Sequence, residues 1–181
     1  MKRIFFTVLI PLILFVISAV PALSNGTSEN TSKNIYRELG YKPVDEAAED
    51  FKTHFKMELA LPLRVPPIPF THAMGRINDL NGEEQDSFEV KYINDKVPDN
   101  HYKITIRPLR HKVEYKKEEI KKNLQLERGT KAVYLDHSGF NVLVFERGNL
   151  QYMLSINKRV SEMMLPGTLV QIANSIEPGA S

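Results

Sequence analysis

His72, Arg76 and Asp79 stand close together in Phe70-Thr71-His72-Ala73-Met74-Gly75-Arg76 and its continuation. Imidazole titrates near neutral pH and guanidinium holds carboxylate or phosphate through paired hydrogen bonds, so such a trio can bind an anion or move a proton. The competing structural explanation has His72 and Thr71 hydrogen-bonding backbone while Arg76 pairs with an acid. With 25% of residues charged, such clusters arise on any domain, and this explanation is favoured.

Asp136-His137-Ser138 has the residue types of a catalytic triad but not its geometry. A triad needs the His between Ser and Asp, whereas neighbours in an extended chain point to opposite faces. Followed by Gly139, these residues supply turn chemistry, and no Gly-x-Ser-x-Gly elbow occurs. The five histidines, His54, His72, His101, His111 and His137, are scattered without a paired-His motif. Glycine-rich phosphate loops are absent as well, so no cofactor, metal or catalytic residue is expected.

Charge is uneven along the chain. Between Arg107 and Lys122, seven Lys and Arg, including Arg107, Arg110 and Lys112, face three Glu, whereas Asp79 to Asn100 has an excess of five negative charges. A basic face could meet an anionic wall polymer or phospholipid; otherwise the two segments neutralise each other or face water, which is favoured. The candidate binding residues are therefore His72, Arg76, Arg107, Arg110 and Lys112.

The elements that must position these residues follow from periodicity. Val44, Ala47, Ala48, Phe51, Phe55 and Leu59 recur at threes and fours, the spacing of one helix face, with Pro43, Asp45 and Glu46 at its start. Leu61 to Phe70 contains four prolines, which forbid a helix interior or central strand, and reads as a packed extended connector. Five alternating or apolar runs read as strands: Ser87 to Ile93, Tyr102 to Ile106, Ala132 to Leu135, Phe140 to Phe145 and Leu150 to Ile156. Lys116 to Leu126 reads as a short charged helix with Ile120 and Leu124 inward, and Pro166 to Ile176 as a closing helix. Strands in a run with helices at both ends imply an α+β domain over 35–178. Its antiparallel sheet of about five to six strands is covered on one face by N- and C-terminal helices.

Location is the clearest signal. Lys2 and Arg3, the apolar run Ile4 to Ile17 and the small residues Ala22 and Ser24 have the order of a secretory signal peptide over 1–24. Residues 4–20 could instead remain as a short membrane anchor, though a span needs about 20 apolar residues. Residues 25–34 read as a polar spacer. Lys2 and Arg3 are the only charges in 1–24, so the remainder holds 22 basic and 22 acidic residues and is neutral, with no general affinity for nucleic acid. With no cysteine, the chain has neither disulfide nor lipidated thiol, which suits a Gram-positive extracellular protein held by its core.

Three closing segments carry a resemblance: Leu143 to Arg147, Gln151 to Ile156, and Leu169 to Ile176. They are similar to the end of a firmicute family of exported domains of unknown function, in which an aromatic-rich hairpin leads into a helix ending Ile-Ala-x-Ser. The resemblance is loose over Tyr36 to Ile176 and closest from Gly139. It implies a lipoprotein-carrier-like fold with an antiparallel sheet and helical cover, able to hold an apolar group, and it supplies no catalytic residues. The expectation is a non-enzymatic binding or sensing module of the cell envelope, secreted or tethered, taking a polymer, lipid or protein ligand. The alternative is a secreted hydrolase assembled around His72.

Overall fold

A computed structural model describes residues 34–79, 85–163 and 166–177. The export segment and residues 25–33 of the spacer lie outside the described residues. A helical turn at 34–38 leads to helix α1 (Val44–Phe55). Asp45 and Glu46 in its first turn and Lys52 and His54 in its last complement the helix dipole. Lys56 then turns left-handed at φ 56° while its N–H bonds Lys52 O, which ends the helix before Leu59.

Seven strands follow: β1 (His72–Asn78), β2 (Ser87–Ile93), β3 (His101–Pro108), β4 (Ile120–Gln125), β5 (Lys131–His137), β6 (Phe140–Arg147) and β7 (Leu150–Asn157). Helix α2 (Pro166–Asn174) closes the fold. The strands form one antiparallel sheet in the order β1-β2-β3-β7-β6-β5-β4. The fold is α+β. The chain therefore builds β1 to β3 as a meander, crosses the sheet to its far edge, and returns through β4 to β7 until β7 pairs with β3.

The sheet has seven strands where five to six were expected, and the five runs read as strands are its interior ones. The two missed strands are the edges. β4 replaces the short helix expected over Lys116 to Leu126; only Lys117–Glu119 makes a helical turn there. Ile120 and Leu124 are four apart, which suits one face of a helix or of a regular strand equally. The register shifts at Lys121, so that Ile120 pairs with Leu135 and Leu124 with Ala132. This bulge puts the two residues on opposite faces. Exposed Lys121 and Lys122 also fit an edge strand, where lysine discourages further pairing. β1 was hidden because Gly75 and Arg76 interrupt its alternation.

One sheet face shares its core with both helices. Phe88, Val90, Ile104, Ile106, Leu143, Tyr152 and Leu154 pack in a single cluster with Ala47, Phe51 and Phe55 of α1 and Leu169, Ile172 and Ala173 of α2. The proline-rich segment joins this layer: Ile68 is buried, Tyr152 Oη donates to Ala60 O at 3.0 Å, and Leu63 N–H donates to Ser175 O at 3.3 Å. Leu63 and Val65 nevertheless face solvent.

Gly75 sets how closely α1 approaches β1. A Cβ at this position would lie 2.8 Å from Ala47 Cβ and 3.4 Å from Phe88 Cζ. Gly75→Ala should accordingly destabilise the chain by about 1–3 kcal/mol through overpacking. Urea unfolding checks this, and an unchanged midpoint would show that α1 can simply move away.

Candidate functional site

The sheet face turned away from the helices carries the chemistry. Strand alternation places His72 and Arg76 of β1, Glu89 and Lys91 of β2, and His101, Lys103, Thr105 and Arg107 of β3 on this face. Across β7, β6 and β5 it becomes apolar: Leu135, Val142 and Val144 are buried with Tyr115, Ile120, Val133, Phe140 and Met153 packed against them.

Glu89 is the centre of the charged half. Only 6% exposed, it accepts a hydrogen bond from the Tyr41 hydroxyl. Lys103 Nζ lies 3.4 Å from its carboxylate, Lys91 Nζ 3.6 Å and Arg76 4.0 Å. Burial pushes the Glu89 carboxyl up, but the Tyr41 hydroxyl and the three cations outweigh this and hold it below its ordinary value. Burial lowers Lys91, and neighbouring Lys103 and Arg76 lower it further against the pull of Glu89. Burial, Glu89's hydrogen bond and its charge raise the Tyr41 hydroxyl. Arg76 stacks over the Tyr41 ring at 4.4 Å and donates to Leu39 O at 2.8 Å, which fixes the segment before α1 against this face.

The trio read from sequence is rearranged. His72 Nδ1 lies 2.8 Å from Thr71 Oγ1 and 3.3 Å from Asp95 Oδ2, so its acidic neighbour is Asp95, while Asp79 is exposed. The 3.3 Å separation is an ion-pair distance; Thr71 has the better hydrogen-bond geometry. Thr71 Oγ1 in turn donates to Ile93 O and accepts from Asp95 N–H, so Thr71 makes the expected backbone contacts, whereas the His72 ring bonds the Thr71 side chain instead. His72 Nε2 is buried without a partner. His72 lines a cleft of about 490 Å³ together with Tyr36, Tyr41, Lys42, Glu46 and Met74.

Arg107, Arg110 and Lys112 do not form one basic surface. Arg107 is half-buried on the face of β3, its Nε unpartnered and its guanidinium lowered by burial. Arg110 sits on an exposed helical turn and donates to His111 Nε2 at 2.7 Å. Lys112 is neutralised by Glu114 at 2.9 Å and Glu146 at 3.4 Å. Charges of both stretches instead pair across the fold: Glu89 with Arg76, Lys91 and Lys103, Asp99 with Arg159, and Lys112 with Glu146 as well as its neighbour Glu114.

A second cleft lies on the apolar half. The crossover from β3 to β4 runs over the sheet and is pinned by Gln151, which is 3% exposed. Gln151 Oε1 accepts from Val113 N–H and its Nε2 donates to Val113 O, both at 2.9 Å, imitating a strand partner. Tyr115 Oη donates to Met153 Sδ at 3.3 Å. Between this crossover and β4 to β6 is a cleft of about 600 Å³, lined by Val113, Tyr115, Ile120, Val133, Val144, Glu114, Lys131 and Glu146 among others. Its volume falls within the range of small-molecule sites, roughly 300–1,000 Å³. Sequence reading missed Gln151 and Tyr115, whose only signal is that a β3-to-β4 crossover must traverse the sheet.

Asp136 and His137 end β5, and Ser138 and Gly139 form the turn to β6 with φ of 49° and 84°. Both values suit the two-residue hairpin turn that Gly139 favours. Asp136 pairs with Lys158 rather than with His137. Among the described residues no three His, Asp or Glu side chains converge as metal ligands, and no helix is long and apolar enough to cross a membrane.

Comparison of the chain with protein-family models, with curated proteins and with solved structures returned no match.

Proposed function

We propose that this chain is an exported, non-enzymatic binding or sensing module of the cell envelope, akin to the firmicute domains that its closing hairpin and helix resemble. N- and C-terminal helices cover one face of its sheet, and the ligand binds on the other. The observation that carries this reading is the cleft of about 600 Å³ beneath the Val113 to Ile120 crossover. Its apolar floor, Val133 and Val144, is bordered by Tyr115 and Ile120, with Glu114, Lys131 and Glu146 as polar partners. An acyl chain or a short peptide fits that mixture. The helix side offers less room, since Phe51, Phe88, Tyr152, Leu154 and Leu169 are each at most 2% exposed there.

Export rests on the order of charge, apolar run and small residues in 1–24. N-terminal sequencing of the protein recovered outside the cytoplasm should begin at Asn25; a sequence beginning at Met1 supports the tethered form. For the ligand, thermal-shift screening against acyl lipids, wall fragments and peptides should find a compound that raises the midpoint. At one hundred times Kd, binding adds about 2.7 kcal/mol to stability. Tyr115→Ala should abolish most of that rise by removing one wall of the cleft. No shift with any lipid eliminates the acyl form, and no shift with any compound eliminates the cleft as a site.

The hydrolase alternative draws on one specific arrangement, His72 between Thr71 and Asp95 in the lining of a cleft, with its buried Nε2 unpartnered and open to a water that reaches it. Such a histidine can deprotonate a water. If this is the activity, an ester or glycoside panel will reveal turnover that His72→Gln reduces by about a hundredfold or more. A panel without turnover removes this reading.

A further inference from the structure

We propose that Lys91, Lys103 and His101 bind a phosphate-type oxyanion on the sheet face opposite the helices. Register puts Lys91 directly opposite Lys103, and Ile93 opposite His101, so the three side chains occupy adjoining positions on one face. Like charges directly opposite each other on antiparallel strands repel. Here Arg76 adds a third cation, and the carboxylate they share is the single group of Glu89. The cluster thus carries two positive charges more than its acid supplies.

Hydrogen-bonding capacity is in surplus too. Glu89 Oε1 already takes the Tyr41 hydroxyl, and Lys91 and Arg76 contact the same oxygen. Nε2 of His101 and Nε of Arg76 are buried without partners. Burial and the two lysines keep the His101 imidazole below its ordinary pKa, so near neutral pH a neutral ring can donate from Nε2. The Lys103 side chain is 36% exposed, giving the cluster access to solvent. A tetrahedral oxyanion with two charges and several acceptor oxygens answers both excesses, whereas a neutral sugar answers only the surplus of donors and a cation answers neither. A free phosphate ester and a phospholipid headgroup present the same chemistry. These residues lie outside the lining of the cleft beneath Tyr115, so the site stands independently of that cleft's ligand.

The test compares the melting midpoint of the purified chain in sodium phosphate with that in sodium chloride at matched ionic strength. Phosphate should raise the midpoint of the wild-type chain by a few degrees, and Lys103→Gln and Lys91→Gln should each lose at least half of that rise. Tyr115→Ala should keep it. Sedimentation with phosphatidic acid vesicles, against phosphatidylcholine vesicles, separates the sources. Binding to phosphatidic acid that Lys103→Gln abolishes identifies a headgroup; a phosphate-induced rise without vesicle binding identifies a soluble ester. No rise beyond chloride, or a rise unchanged in both lysine variants, overturns the proposal.

Discussion

Replacing Glu89 with alanine is expected to destabilise the chain by about 3 kcal/mol, read from the urea midpoint. The variant would leave Arg76, Lys91 and Lys103, whose side chains are 28%, 18% and 36% exposed, facing one another without their acid. It would also strand the buried Tyr41 hydroxyl. Breaking a fully buried ion pair costs roughly 3–5 kcal/mol, and access of water to Lys103 sets the expectation at the low end. The same group makes stability depend on pH. Its folded carboxyl ionises below its ordinary value. Its contribution is therefore complete above the unfolded value of about 4.3 and fades as pH falls through the lower folded value. Wild-type stability should drop more steeply below about pH 4 than that of Glu89→Ala. Parallel acid profiles would show that Glu89 is not the acid-sensitive group.

Phe51→Ala should cost still more, about 3–5 kcal/mol. Phe51 is 0% exposed, and its ring centroid lies 4.8 Å from that of Phe55 and 5.5 Å from that of Phe88. Truncation removes the ring that couples α1 to β2 and leaves a cavity that the surrounding strands, held by their hydrogen bonds, cannot close. Leu63→Ala is the matched control: Leu63 is 73% exposed, so its loss should change stability by less than about 0.5 kcal/mol. Similar losses for the two variants would mean that α1 is not docked on the sheet through Phe51.

Periodicity exposed the elements whose inner faces are buried and concealed those at the rim. Ala47, Phe51 and Phe55 marked α1, and Leu169, Ile172 and Ala173 marked α2, because burial of one helix stripe demands that spacing. The interior strands were legible for the same reason. Edge strands bury less, so β4 carried Lys121 and Lys122 and mimicked a charged helix, and its bulge erased the simple alternation.

The candidate site was legible in composition but not in partnership. Glu89, Lys91 and Lys103 stood out only as the polar halves of alternating strands, a pattern that normally means a solvated face. Two returning segments overturn that default: the one before α1, which brings Tyr41 onto Glu89, and the crossover, which brings Val113 onto Gln151. Neither contact has a local signature, since Tyr41 and Glu89 are 48 residues apart and Val113 and Gln151 are 38 apart. His72 and Arg76 were singled out from the sequence for their chemistry. Their acidic partners, Asp95 and Glu89, come from beyond the local motif because a β-hairpin joins residues by register rather than by sequence distance.

Hydrogen–deuterium exchange on the chain with and without the acyl lipid or peptide that raises its melting midpoint tests the proposed binding face most directly. Ligand should slow exchange at Val113 to Ile120 and along β5 and β6 while leaving α1 and α2 unchanged. Protection concentrated in the helices, with the crossover unaffected, would contradict the account and place the ligand between helices and sheet.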